Sequence, residues 1–341
     1  MTKLALAFAP YRISFFGGGT DYPAVMRAHG PGAFLSGTID LGVRVLARWL
    51  PPNFDHAARI VWHEVEAVSD YASIAHPLVR AAHVKYGISR GVEVICMGDA
   101  PARSGLGASS AFALALVLAL RALTGRAVDS ASVVRDARSL EHEVQGEAVG
   151  VQDAFASERG GLRLWECTAD SHGALLNDKA APCHPVTIGV LEERLVLVYT
   201  GRQRDAAAVA KVQIETLDRQ GVAYKALAAQ AHEGYDILRR AEGDARALAA
   251  IGDMLDAAWR LKKEVAPLAS TPEIDALYIR CREVGATGGK LLGAGSGGHF
   301  LLYVEPGRRE GVVRAALETP GARIVAFHFA SRGATILATE T

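Results

Sequence analysis

The segment Arg103-Ser104-Gly105-Leu106-Gly107-Ala108-Ser109-Ser110 has the residue types and spacing needed to hold a phosphate. It follows an alternating run, Gly91 to Met97, that predicts a strand, and precedes an uninterrupted helix former, Ala111 to Leu123. A helix leaves its first backbone N–H groups unpaired, and its dipole favours negative charge there. Glycines at 105 and 107 let the backbone fold over an anion, and Ser109 and Ser110 offer hydroxyl donors or a ligand for Mg²⁺. The same residues also suit a plain tight turn with Ser109 as helix cap. Residue type alone leaves both readings open.

Other chemistries are poorly supported. No lysine follows the last glycine, as a Walker A loop requires, and Ala108-Ser109-Ser110 stands where a dinucleotide fingerprint needs its third glycine. The 11 histidines form neither HExxH nor a compact ligand set, which leaves zinc unsupported. Cys96, Cys167, Cys183 and Cys281 are far apart and read as ordinary thiols of a reducing compartment. Lysine plus arginine and aspartate plus glutamate are both 37, and the sparse aromatic residues are not interleaved with a basic tract. That balance argues against a nucleic-acid partner. No apolar run is long enough to span a bilayer, and Lys3 to Ala9 reads as a first strand and not a signal peptide, so no membrane partner and a cytoplasmic location are expected.

The 341 residues suffice for two lobes, each with its own core. Strands are expected over Lys3–Ala9, Gly37–Trp49, Arg59–Ala67, Gly91–Met97, Leu162–Cys167, Leu195–Thr200, His299–Val304 and Ala322–Phe329. Helices are expected over Ser73–His83, Ala111–Leu123, Arg135–Glu147, Ala206–Leu217, Tyr224–Ala247, Met254–Lys263, Glu273–Val284 and Arg308–Glu318. Glycine clusters at 17–19, 105–107 and 285–298 punctuate this α+β order at three junctions.

Three ordered segments resemble the signatures of the GHMP family of small-molecule kinases. They are Ala9-Pro10-Tyr11-Arg12-Ile13-Ser14 with the following GGGTD, Ser104 to Ala111, and Lys290-Leu291-Leu292-Gly293-Ala294-Gly295-Ser296-Gly297-Gly298. Arg12 to Asp21, Gly146 to Asp153 and His328-Phe329 are most similar to the D-glycero-D-manno-heptose 7-phosphate kinases of that family, although Ala108 replaces the first of their three serines. The resemblance implies a two-lobed fold: residues 1–190 as an N-terminal lobe like ribosomal protein S5 domain 2, and 191–341 as a C-terminal α/β sandwich lobe. The active site would lie between them.

It also implies roles. ATP would be held by Arg103, Ser104, Gly105, Leu106, Gly107, Ala108, Ser109 and Ser110. Asp153 would take or orient the proton of the attacking hydroxyl, with Arg12 beside it; as residues alone, Asp153 equally suits a helix cap and Arg12 a structural ion pair. Mg²⁺ would be held by Ser110 and Glu143, which lies ten residues before Asp153, with Glu141 as substitute. Gly18, Gly19, Thr20 and Asp21 would meet a sugar or sugar phosphate, Asp21 accepting from adjacent hydroxyls. A substrate phosphate would draw on Arg27, His29, Lys211 or Arg202. The expected product is the 1,7-bisphosphate of that heptose, made by a monomer or homodimer; a fucose- or galactose-type kinase and a non-catalytic sensor are the alternatives.

Overall fold

The computed structural model describes residues 2–146, 149–170, 173–180, 185–203 and 220–341, together with residues 209, 212 and 217. Lys211, Cys183 and Glu147 lie outside the described residues, as does the helix expected over 206–217 apart from those three isolated positions.

Strands β1 (Leu4–Phe16) and β2 (Gly32–Trp49) form a long antiparallel pair, joined through the first glycine cluster and the short helix α1 (Pro23–His29). Strands β3 (Ala58–Val61), β4 (Val65–Val68) and β5 (Val92–Gly98) extend the sheet beyond β2. Strands β6 (Leu162–Asp170) and β7 (Gly173–Ala180) add to the other half of β2. On β1, Ala5, Ala7 and Ala9 are fully buried. Their small side chains let the helix that follows the second glycine cluster lie close to the sheet. That helix, α3 (Ala108–Leu123), is buried at every position from Ser110 to Leu120, because α2 (Pro77–Tyr86), α4 (Ser130–Gln145) and the strands surround it. Helix α5 (Gln152–Arg159) closes the site end.

A second sheet has the order β11-β8-β10-β9, with β8 (Leu195–Tyr199), β9 (Ala286–Leu291), β10 (His299–Val304) and β11 (Arg323–Val325). Helices α6 (Pro185–Arg194), α7 (Gly221–Arg240), α8 (Ala245–Val265), α9 (Pro272–Glu283) and α10 (Arg309–Leu317) complete the chain. Among the described residues no helix is long and apolar enough to cross a membrane.

Several expectations are corrected. Residue 190, the expected lobe boundary, lies inside α6, and the chain does not end in the second sheet. Instead, a last strand, β12 (Thr335–Glu340), returns to pair with β1 in the first sheet. The strand expected over 322–329 contracts to β11. The run Gly285–Lys290, read as a glycine-rich junction, is largely β9; Gly288 is required there because a Cβ would collide with the Gly252 carbonyl of α8. The helix expected at Ser73 starts instead at Pro77, whose fixed φ and missing N–H suit the first helical position.

Candidate active site

Gly107 forms the N-cap of α3 in the left-handed conformation, with φ 75°, and no side chain caps the helix. The helix starts at Ala108, one turn earlier than its apolar run. Ser109 therefore does not cap it, and its hydroxyl instead accepts from Gln145 Nε2 at 3.3 Å. The first turn is left with free amide donors, the arrangement an anion needs.

The loop before this helix is clamped from both lobes. A Cβ on Gly105 would lie 2.7 Å from the Leu292 carbonyl, and one on Gly298 would collide with the carbonyl of Ser104. That carbonyl accepts from His299 N at 2.9 Å and lies 2.8 Å from His299 Nδ1. The third glycine segment therefore seats the loop before α3 through its backbone.

Arg12 and Asp153 meet beneath this loop. Arg12, on β1 and 3% exposed, donates from Nε to Asp153 Oδ1 at 2.8 Å and from Nη1 to the Gly105 carbonyl at 2.7 Å. Its own N–H donates to the Leu106 carbonyl at 3.0 Å. Asp153 is the second residue of α5 and keeps 31% of its side chain exposed. A Cβ on Gly107 would lie 3.3 Å from both Arg12 Cγ and Asp153 Cγ, so glycine is what allows the loop to lie directly on the pair.

The acidic partner of Ser110 is Glu141. Ser110 Oγ donates to Glu141 Oε1 at 2.8 Å, whereas Glu143 is exposed to solvent. Helix phase decides between them: Val133, Val134, Ala137, Leu140 and Glu141 form the buried stripe of α4, and Glu143 points away. Burial raises the Glu141 carboxyl to about 7, against the lowering effect of the Ser110 hydrogen bond, and its Oε2 is buried without a partner. Among the described residues no group of three or more histidine, cysteine, aspartate or glutamate side chains could hold a metal ion. A cation here would need phosphate and water oxygens as well.

The first glycine cluster folds inward. The Thr20 hydroxyl lies 2.8 Å from the Gly17 carbonyl, 3.0 Å from the Ala33 carbonyl and 3.1 Å from Ala33 N, so its bonds serve the turn and not a ligand. Asp21 is 5% exposed, and its two carboxylate oxygens accept from Gly19 N and Gln152 N, each at 3.0 Å. Burial raises its carboxyl above the usual range, and the Asp153 charge adds to the shift. Gly18 lies beside Ser14 and Gln152. His29 Nε2 lies 2.8 Å from the Leu217 carbonyl, and the Arg202 side chain pairs with Glu273 at 3.1 Å.

Two polar residues acquire roles that their sequence context did not single out. Lys290, in the third glycine segment, is buried and donates to the Phe15 carbonyl at 2.9 Å, bridging the second sheet to the strand that carries Arg12. Burial, with the Arg12 charge, lowers its amine to about 7. Gln152 bonds Ser14 Oγ at 2.9 Å. The sequence signals them only by place, Lys290 at the head of the third family-like segment and Gln152 next to Asp153.

Comparison with known proteins identifies the family. Residues 72–161 match the family model described as GHMP kinases N terminal domain, and residues 238–322 match GHMP kinases C terminal. The D-glycero-alpha-D-manno-heptose 7-phosphate kinase of Campylobacter jejuni is 27% identical over 229 residues, 65% of this chain and 64% of that protein. The bifunctional fucokinase/GDP-fucose pyrophosphorylase of Arabidopsis thaliana is 30% identical over 254 residues, 71% of this chain but 23% of that protein. The matched part thus spans less than two thirds of either relative. The crystal structure of a D-glycero-D-manno-heptose 1-phosphate kinase from Bacteroides thetaiotaomicron superposes with a TM-score of 0.75 at 20% identity, covering 99% of this chain and 100% of that one. The architecture is the GHMP kinase fold, and the chain belongs to the GHMP kinase family.

Proposed function

We propose that this protein is an ATP-dependent sugar kinase that phosphorylates the anomeric hydroxyl of D-glycero-D-manno-heptose 7-phosphate, giving the 1,7-bisphosphate. The observation that carries the phosphotransfer reading is the Arg12–Asp153 pair lying directly under an uncapped helix N-terminus. The heptose part rests on the similarity to heptose phosphate kinases.

The residues present fit ATP and Mg²⁺. The free amides of the first turn of α3, with Ser109 and Ser110, suit phosphate oxygens, and the unpartnered Glu141 Oε2 beside Ser110 suits a hard cation. Trp62, His76 and Phe112 form a partly open aromatic cluster, with Trp62–His76 centroids 4.5 Å and His76–Phe112 centroids 4.9 Å apart, one helical turn beyond the loop. This is a suitable surface for a base. ATP supplies the electrophilic γ-phosphoryl group, and Mg²⁺ spreads its charge.

Asp153 accepts the proton of the sugar hydroxyl at Oδ2, since the bonds from Arg12 engage Oδ1. The hydroxyl oxygen forms its bond to the γ-phosphorus as the bond to the bridging oxygen breaks and ADP leaves. Arg12 holds Asp153 in place, and its guanidinium lies where negative charge develops. The sugar lies against Gly18 and Gly19. We further propose a cytoplasmic enzyme acting on a small molecule as a monomer or homodimer.

The 30% identity to a fucokinase favours one second reading, a kinase for an unphosphorylated sugar. A panel of the heptose 7-phosphate, the free heptose, fucose and galactose, each incubated with ATP and Mg²⁺ and read by mass spectrometry, decides between them. Gain of one phosphate by the heptose 7-phosphate is expected. Transfer only to fucose or galactose would replace the heptose assignment, and no transfer to any acceptor would remove the kinase assignment for this panel.

A further inference from the structure

We infer that Ser157 is a positioning residue for Asp153, acting through an interruption of the first strand pair. The inference rests on the kinase reading for the role of Asp153, but not on the identity of the acceptor. Strands β1 and β2 pair in step from Leu4 with Arg48 to Pro10 with Gly42, and then slip, so that Arg12 faces Thr38. Two steps along β1 thus correspond to four along β2. A bulge of this kind takes backbone groups out of the ladder, and each must find a partner elsewhere. Arg12 N–H donates to the Leu106 carbonyl at 3.0 Å, and the Pro10 carbonyl accepts from Ser157 Oγ at 2.6 Å. On β2 the extra residues turn to a late segment of the chain: Ile39 bridges to Phe329, and Asp40 N donates to the His328 carbonyl at 2.9 Å.

Ser157 is 1% exposed and stands on α5 four residues after Asp153, so both side chains project from one face of the helix. A serine inside a helix commonly bonds back to the carbonyl one turn earlier. Ser157 instead turns its donor to β1, two residues before Arg12. Gln152 Nε2 ties the turn that opens α5 to Ser14 Oγ at 2.9 Å, and Ser157 does the same for the turn after Asp153. A helix held at one point can pivot about it. Held again about 6 Å further along its axis, it presents the Asp153 carboxylate to Arg12 in one orientation.

The far end of α5 is blocked by the segment that leads into β12. Ala334 N donates to the Ser157 carbonyl at 2.9 Å, and a Cβ on Gly333 would collide with the Glu158 carbonyl. A Cβ on Gly160, just past the helix, would collide with Gly333 N. Backbone therefore limits where the helix ends, and the Ser157 hydroxyl sets its distance from β1.

The test uses Ser157→Ala and Gly333→Ala, each alone and combined with Asp153→Asn, assayed with ATP and D-glycero-D-manno-heptose 7-phosphate. Hydrogen exchange at the α5 amides is followed in parallel. The first substitution removes the donor to Pro10, and the second displaces the end of the helix from the opposite direction without changing charge. We expect kcat to fall at least about tenfold with KM for ATP and for the sugar within about threefold, since neither the first turn of α3 nor Gly18 and Gly19 is altered. That loss should vanish in the Asp153→Asn background, and the α5 amides should exchange at least about tenfold faster while those of α3 do not change. A lower melting temperature with kcat within about twofold of the parent is what a merely structural serine gives, and it would overturn the inference. A kcat loss undiminished in the Asp153→Asn background would overturn it as well. If Ser157→Ala does not fold, Gly333→Ala decides alone by the same criteria. Normal turnover of Asp153→Asn by itself would reject the proposed role of Asp153 and the inference with it, whereas unchanged α5 exchange in Ser157→Ala, with Asp153→Asn inactive, would overturn the inference alone.

Discussion

Arg12 and Asp153 stand 141 residues apart in sequence, and both bonds between them, from Nε at 2.8 Å and from Nη2 at 2.7 Å, fall on one oxygen, Oδ1. The guanidinium is almost fully buried and the carboxylate is not. Asp153 keeps part of its side chain open to solvent, while the guanidinium is held within the protein. Its two ends also touch different elements, since Nη1 reaches the Gly105 carbonyl.

Replacing Asp153 by asparagine is therefore predicted to lower kcat by about 100-fold or more, the usual scale for removing a general base, while ATP affinity changes less than about threefold. Arg12→Lys is predicted to be nearly as damaging. A single ammonium cannot reach both Asp153 and the Gly105 carbonyl with the geometry of a planar fork. Steady-state kinetics and calorimetric titration with a non-hydrolysable ATP analogue check both; near-normal turnover of either variant contradicts the assigned roles.

Glu141 predicts a proton signal. Its carboxyl sits at about 7 against an ordinary 4.5, so the folded chain keeps a proton through this window that the unfolded chain has released. Stability from this group is accordingly lost as pH rises from 4.5 to 7, by roughly 3 kcal/mol in all. A cation on Glu141 would expel that proton. Titrating Mg²⁺–ATP at pH 7 in buffers of different ionisation enthalpy should show release of a fraction of a proton, and Glu141→Gln should abolish it. Equal heats in all buffers for the unaltered protein would count against Glu141 as the metal ligand.

For Lys290 the sign is opposite. Its amine is lowered to about 7 from 10.5, so between these values the unfolded chain binds a proton that the folded chain does not. Stability contributed by this group rises with pH through that window, and the cost is largest below pH 7. Lys290→Met removes this dependence together with the bond to Phe15. The difference in unfolding free energy, variant minus parent, should therefore fall as pH rises from 7 to 9, by up to ~1.4 kcal/mol per pH unit. A difference independent of pH would show that the amine titrates normally.

Gly298 has φ 96°, and a Cβ there would collide with the carbonyl of Ser104. Gly298→Ala is predicted to cost roughly 1–3 kcal/mol of stability from strain and displacement. Because the displaced atom belongs to the phosphate loop, KM for ATP should rise about tenfold with the sugar KM little changed. A thermal melt and the two KM values test this, and an unchanged KM for ATP would separate the third glycine segment from the nucleotide.

The sequence displays the strand–turn–helix element around Gly105 and Gly107 because its signals are local: an alternating strand, two glycines and an alanine–leucine helix follow one another within about thirty residues. The apposition of Arg12 with Asp153 has no local signature, since it arises from how β1 meets α5; only the family resemblance related them. Glu141, named from the sequence only as the substitute for Glu143, is the one of the two that the structure buries beside Ser110. The apolar stripe of α4 at 133, 137 and 140 continues to 141, and spacing from Asp153 was the poorer guide. The backbone bonds of Asp21 were not legible, because they depend on amides that a distant helix brings to it. The same holds for β12, whose half-exposed residues mark no clear face until β1 supplies the neighbour.

That strand has a consequence for synthesis. Leu4 pairs with Glu340 and Phe8 with Thr335, so one edge of the strand bearing Arg12 waits for almost the whole chain to be translated. At roughly 5–20 residues per second the interval is tens of seconds. During it the nascent first sheet carries a bare ladder beside its active-site strand, open to pairing with another nascent chain or to shelter by a chaperone.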